Sequence, residues 1–138
     1  MAERAIRITA GQVSAEASLD TSRTATAIWD ALPIEAQAQT WGDEVYFSIG
    51  IDAGEESPKA VVEMGELGYW PPGQAFCIFF GRTPASRGDE IRPASPVNVV
   101  GRVVGDARVF KAVRAGTRIV IDRVAVRVEP RASRRDER

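Results

Sequence analysis

The chain contains no histidine. Its absence removes Ser-His-Asp and Cys-His catalysis, histidine-ligated zinc and the usual proton shuttle at neutral pH. A single cysteine, Cys77, excludes an internal disulfide and fits a reducing compartment. No apolar run approaches the ~18 residues of a spanning helix, and Met1-Ala2-Glu3-Arg4 leads straight into alternating residues without a signal-type stretch. The expectation is a cytoplasmic protein with no membrane partner. Neither charge sign is in excess: 18 basic against 19 acidic residues leave a net charge of −1, so no basic field for nucleic acid is present. The one arginine cluster, Arg131, Arg134, Arg135 and Arg138, is interleaved with Glu129, Asp136 and Glu137. It reads as a solvated terminal tail.

What is present is ordinary globular material. At 138 residues, 44% of them hydrophobic, the chain is one domain that can bury a core without staples. We place that domain at residues 1–128 and a flexible charged tail at 129–138.

Ile6–Thr9 and Val13–Leu19 alternate as strands about a turn at Ala10-Gly11-Gln12. A helix follows, capped by Asp20 or Thr21, with Ala25, Ile28, Trp29 and Leu32 on one face and Pro33 as its stop. Ala36–Thr40 is polar and left unassigned, and Trp41-Gly42-Asp43 is a turn. Val45, Phe47 and Ile49 mark a strand by alternation, while Asp52–Lys59 reads as an exposed acidic loop. Gly65, Gly68, Pro71, Pro72 and Gly73 punctuate the next stretch so densely that Tyr69 and Trp70 are expected in a structured loop. Ala75–Phe80 is unbroken apolar sequence, the mark of a strand covered on both faces. Gly81–Pro96 is a long polar connection. Val97–Val104 is a strand whose Gly101 marks a bulge or a close backbone approach. Asp106–Val113 is a short capped helix and Thr117–Val128 the last strand. Many short strands with turn signals between them predict a mainly β barrel or sandwich of roughly eight strands.

Trp41-Gly42-Asp43-Glu44-Val45-Tyr46-Phe47, Gly68-Tyr69-Trp70-Pro71-Pro72-Gly73, Cys77-Ile78-Phe79-Phe80-Gly81-Arg82-Thr83-Pro84 and Glu90-Ile91-Arg92-Pro93-Ala94-Ser95-Pro96-Val97-Asn98 occur in this order. Together they resemble a small prokaryotic family of unknown function with a cyclophilin-like fold. The resemblance covers about Ile6 to Val128. It implies a closed cyclophilin-like β-barrel of about eight strands capped by one or two helices. True cyclophilins, the prolyl isomerases, are similar more weakly, through Val99–Gly105 with the short helix after it and through Ala75–Ile78. Their proline-pocket phenylalanine falls at or near Cys77, beside Phe76. Their arginine, the tryptophan of the following loop and the pocket histidine have no counterpart here.

Candidate site residues come from the aromatic and arginine-bearing loops. Tyr69 and Trp70, with Pro71 and Pro72, suit the rim of an apolar pocket, or Trp70 plugs the barrel mouth. Phe76 and Phe79 would form a proline-binding wall. Arg82 and Arg92 could hold a carboxylate or phosphate, or polarise a proline amide nitrogen, or Arg92 could simply pair with Glu90. Ser95 and Asn98 could aim polar groups into the pocket or tie the loop. Cys77 has no basic neighbour, and burial raises a thiol's pKa, so it reads as structural. Asp43 and Glu44 read as turn residues rather than a catalytic carboxylate pair. No catalytic residue, metal ligand or cofactor is assigned. The expected partner is a small molecule or peptide segment, on a monomer or homodimer. The alternatives are a divergent prolyl isomerase using Arg82 or Arg92, and a protein-interaction or homodimerisation domain.

Overall fold

β1 (Arg4–Ala10) and β2 (Val13–Leu19) form the hairpin that their alternation demands. Ile6, Ile8 and Ala10 point into the core while Arg7 and Thr9 face solvent. Gly11 makes the turn at φ 61°, a conformation that favours glycine. These coordinates are a computed structural model that describes residues 4–124. The arginine-rich tail and the expected end of the last strand lie outside the described residues.

Helix α1 (Arg23–Ala31) is capped by Ser22, not by Asp20 or Thr21. Ser22 Oγ accepts from Ala25 N–H at 3.1 Å, and the Asp20 carboxylate instead accepts from Ser22 N–H at 2.9 Å. Ala25 and Ile28 are fully buried, with Trp29 and Leu32 packed beside them, so the apolar stripe is a packing face. Pro33 follows the last cap residue, Leu32.

The polar stretch after Pro33 is where the sequence left a blank. It forms β3 (Ile34–Gln37) and β4 (Gln39–Thr40). The remaining strands are β5 (Glu44–Ser48), β6 (Glu66–Trp70), β7 (Ala75–Phe79), β8 (Asn98–Val103) and β9 (Arg118–Arg123). They form one antiparallel sheet in the order β3-β9-β1-β2-β8-β6-β7-β5-β4. Its two ends, β3 and β4, are one continuous piece of chain. The sheet therefore curls into a nearly closed barrel of nine strands. A 3-10 helix, Ala107–Ala112, capped by Asp106, packs beside it.

Tyr69 and Trp70 lie in a strand, β6, and the loop expected there shrinks to the 3-10 turn Pro71–Gly73 and Gln74. Gly68 sits inside β6 because Val97 and Phe79 press on it. A Cβ there would meet their side chains at 3.0 and 3.2 Å. The Asp52–Lys59 segment is a loop, yet Glu56 is not simply solvated. Its carboxylate accepts from Arg23 N–H (3.1 Å), Thr24 N–H (2.8 Å) and Thr24 Oγ1 (2.7 Å), filling the helix N-terminus.

The interior holds Ile6, Ile8, Ile28, Phe47, Leu67, Tyr69, Phe76, Ile78 and Phe110. A second, smaller cluster of Val62, Ala75, Cys77, Phe79, Ile91 and Val97 lies on the outer face of β5, β6 and β7. The segment 81–97 covers that face, which is why every residue of β7 is buried and its sequence does not alternate.

Gly101 is a close approach. A Cβ there would overlap the Ser18 carbonyl oxygen and sit 3.0 Å from Leu19 Cα, both backbone atoms of β2. Beside it the β6–β8 ladder slips by one residue between Leu67 and Gly68. We therefore expect Gly101→Ala to destabilise the fold by ~2–4 kcal/mol. Urea unfolding measures this, and a change within ~0.5 kcal/mol, the size typical of neutral surface substitutions, would refute the close approach.

Candidate functional site

The strand parity of β5, β6 and β7 sorts the side chains. Val45 and Phe47, Leu67 and Tyr69, and Phe76 and Ile78 face the interior. Glu44 and Tyr46, Gly68 and Trp70, and Cys77 and Phe79 face outward. On that outer face a pocket of about 230 Å³ opens between the sheet and the covering segment. Trp41, Glu44, Tyr46, Trp70 and Cys77 line it from the barrel, and Pro93, Ala94 and Val97 from the cover.

Trp70 forms a wall of this pocket and does not plug the barrel mouth. Its indole N–H donates to Ser95 Oγ at 2.7 Å. Gly73 packs against its six-membered ring, so closely that a Cβ would stand 2.8 Å from two ring carbons. Trp41 enters from the turn after β4, its N–H donating to the Glu44 carbonyl oxygen at 2.9 Å.

Glu44 is the unusual member. It is 6% exposed, and among the described residues no lysine or arginine pairs with it. Burial pushes its carboxyl group up to about 7, against a smaller opposing effect of the Cys77 thiol hydrogen-bonded to it. The thiol is pushed well above its ordinary range, first by burial and then by the adjacent acid. Cys77 is therefore no thiolate at neutral pH, in keeping with a structural reading. Asp43 does not join Glu44 as a carboxylate pair: it pairs with Lys111 Nζ at 3.0 Å.

The residues singled out from the sequence scatter. Trp70 and Ser95 meet at the pocket. Phe79 lies buried in the cluster beneath it. Tyr69 and Phe76 are fully buried on the interior side of the sheet, Phe76 stacked on Phe47 at 5.5 Å and Tyr69 Oη donating to the Ile51 carbonyl. Parity excludes both from the outer pocket. Arg92 is held by Glu90 through Nε (2.6 Å) and Nη2 (3.2 Å), and the guanidinium keeps that carboxyl below its usual range. Arg82 is exposed and reaches the Ser86 carbonyl at 3.4 Å. Neither arginine lines the pocket. Asn98 is 1% exposed and ties the 54–56 loop to helix α1. It donates to Thr24 Oγ1 (3.1 Å) and the Gly54 carbonyl (2.9 Å) and accepts from Glu56 N–H (2.9 Å).

Sequence reasoning missed Trp41, Glu44, Tyr46, Pro93, Ala94 and Val97 as neighbours of Trp70. One signal was available. The unbroken apolar run of β7 requires a cover on its outer face, and period two then puts Glu44 and Tyr46 of the paired strand under the same cover.

The barrel and its matching motifs define the class. The cyclophilin-like family model matches residues 4–122, and the chain belongs to that family. Among solved structures, it is similar to the solution structure of a hypothetical protein from Archaeoglobus fulgidus. The two share 43% identity over 88% of this chain and 95% of that one, with a TM-score of 0.77. No curated protein matches. Among the described residues no group of three His, Cys, Asp or Glu could hold a metal ion, and no helix is long and apolar enough to cross a membrane.

Glu44 makes stability depend on pH. Its folded value, about 7, lies above its ordinary 4.5. Between these values the folded protein keeps a proton that the unfolded chain has released, so stability falls as pH rises through that window and levels off above it. The loss reaches about 3 kcal/mol at most. Glu44→Gln removes this slope. Parallel urea-midpoint profiles for the two proteins across the window would contradict the assignment.

Proposed function

We propose that the domain is a binding module whose site is the outer-face pocket walled by Trp41, Tyr46 and Trp70. The observation that carries this reading is the buried carboxyl group of Glu44, which has no cationic partner among the described residues, in the lining of a largely apolar cavity. Ligand sites combine apolar walls with a few polar groups in this way. Elsewhere in the fold the buried amide of Asn98 makes three hydrogen bonds. The cavity of about 230 Å³ falls below the ~300–1,000 Å³ of drug-sized sites. It suits a ligand of a few heavy atoms, or one side chain of a peptide segment.

Against this, a prolyl isomerase needs a positive donor at the proline nitrogen. Arg92 is engaged by Glu90 and Arg82 faces solvent, both away from the pocket. An edge-to-edge interaction domain needs a long free strand edge. Here both terminal strands of the sheet, β3 and β4, are short and belong to the closing segment.

A fragment titration followed by tryptophan fluorescence tests the proposal. A fragment that binds the wild type should lose at least about tenfold in affinity, ~1.4 kcal/mol, in Trp70→Ala and in Ala94→Trp, which fills the pocket. The fold should survive both changes. Equal affinity in the two folded variants would move the site elsewhere. In a peptide cis–trans assay the wild type, Arg82→Ala and Arg92→Ala should all run at the uncatalysed rate. A clear acceleration abolished in one arginine variant would replace this proposal with an isomerase.

A further inference from the structure

We propose that the pocket receives a small alkylated ammonium ion, with Glu44 as its counter-ion and Trp41, Tyr46 and Trp70 as its walls. This rests on the reading of the pocket as a binding site and names its ligand class.

A carboxyl group that is 6% exposed is held out of water, and among the described residues no lysine or arginine neutralises it. The titratable side chains around it are Cys77 and Tyr46 on the same sheet. The cover contributes Pro93, Ala94 and Val97, none of them charged. Lys111, which bonds to the neighbouring Asp43 at 3.0 Å, is spent there. A buried carboxylate is favourable only when a positive group pairs with it, and the chain leaves that role to an occupant.

The walls select which cation. Aromatic rings carry negative potential on their faces and attract diffuse organic cations, best of all over tryptophan. Three aromatic side chains around one acid suit alkylated ammonium, whose charge is spread over apolar methyl groups. A divalent metal would demand several oxygen ligands, and the pocket has one carboxyl group. An anion would meet the ionised acid with no lysine or arginine in the lining to offset it. Ser95 and Gly73 hold the Trp70 ring in place before any ligand arrives, so little ordering is left to be done on binding. Because the cation favours the ionised acid, its affinity rises with pH through the titration of Glu44.

The test is calorimetric titration of the intact chain with choline and with its neutral analogue carrying carbon in place of nitrogen, above the titration of Glu44. We expect choline to bind at least about tenfold more tightly, and Glu44→Gln to erase that preference while the neutral analogue binds unchanged. Glu44→Gln is nearly isosteric and removes a buried charge, so it should stay folded, as thermal unfolding would verify. A blocked trimethyl-lysine peptide, titrated alongside, tells a free small molecule from a modified side chain as the source. Binding tighter or weaker than choline's supports the same chemistry from one source or the other. Equal affinities of choline and the neutral analogue, or an unchanged preference in Glu44→Gln, overturn the cation assignment and spare the pocket. Failure of choline and peptide while other fragments still bind in a Trp70-dependent way does the same. If no fragment binds at all, both readings fall.

Discussion

One stretch of chain, residues 34–40, holds the two ends of the sheet together. β3 pairs with β9, and a few residues later β4 pairs with β5. Between them Ala38 is fully buried, its N–H donating to the Thr117 carbonyl at 2.8 Å and its carbonyl accepting from Gly116 N–H at 2.7 Å. An open sheet of this many strands would expose two long edges. Letting one short segment serve both ends removes that hazard. The same segment sets up the pocket. It runs on into Trp41, reverses at Gly42 (φ 60°) and delivers Glu44 to the start of β5. Gly42 lies against Pro84 and the Arg82 carbonyl, and Asp43 N–H bonds to that carbonyl at 2.9 Å. Barrel closure, the turn and the root of the covering segment therefore share one set of contacts.

The cover makes the outer face of β7 a second interior. Bridges at Lys59–Val97 and Val62–Ile91 fasten it to the chain beneath. Within it, Thr83 Oγ1 donates to the Arg92 carbonyl and accepts from Ala85 N–H at 3.2 Å, while Glu90 and Arg92 close the loop on itself. That ion pair is partly exposed and screened by solvent, so its contribution is order rather than stability. A loop this long, pinned this many times, is a built surface. Asn98 and Glu56 are pinned by several hydrogen bonds in the same way. Glu44 stands out against that background: among the described residues the other buried acid, Glu66, accepts from Glu63 N–H at 2.9 Å and pairs with Arg102 at 3.5 Å, while Glu44 has no such cation.

Legibility followed the range of the interactions involved. The first hairpin, helix α1 and the doubly buried β7 are written in local pattern, and all three were readable. Residues 34–40 were not, because two short strands of polar residues owe their existence to distant partners, Arg118–Ile121 and Val45–Tyr46. Tyr69 and Trp70 were misplaced because glycine and proline normally break strands. Here Gly68 is required by the bulk of Val97 and Phe79, which lie elsewhere in the sequence. Strand parity divides the residues grouped as one candidate site. Tyr69 beside Trp70, and Phe76 beside Cys77, were grouped as neighbours in sequence, yet adjacent residues of a strand face opposite ways. Whether Arg92 met Glu90 or a ligand was a choice between contacts that only the folded loop could make.

The sequence resemblance sets the proline-pocket phenylalanine of true cyclophilins at or near Cys77. The pocket opens on the outer side of the strand that carries Cys77. A thiol is smaller than a phenyl ring, and the room it leaves lies next to Glu44. The polar group in the site is then an acid instead of a base. A cationic site stabilises developing negative charge or polarises a nitrogen lone pair. An isolated acid with its titration near 7 can do neither as a carboxylate. It can accept a neutral occupant while protonated, or a positive one by releasing its proton, and it disfavours anions once ionised. Fold alone does not decide the use of such a pocket; the sign and burial of the polar group in its lining do.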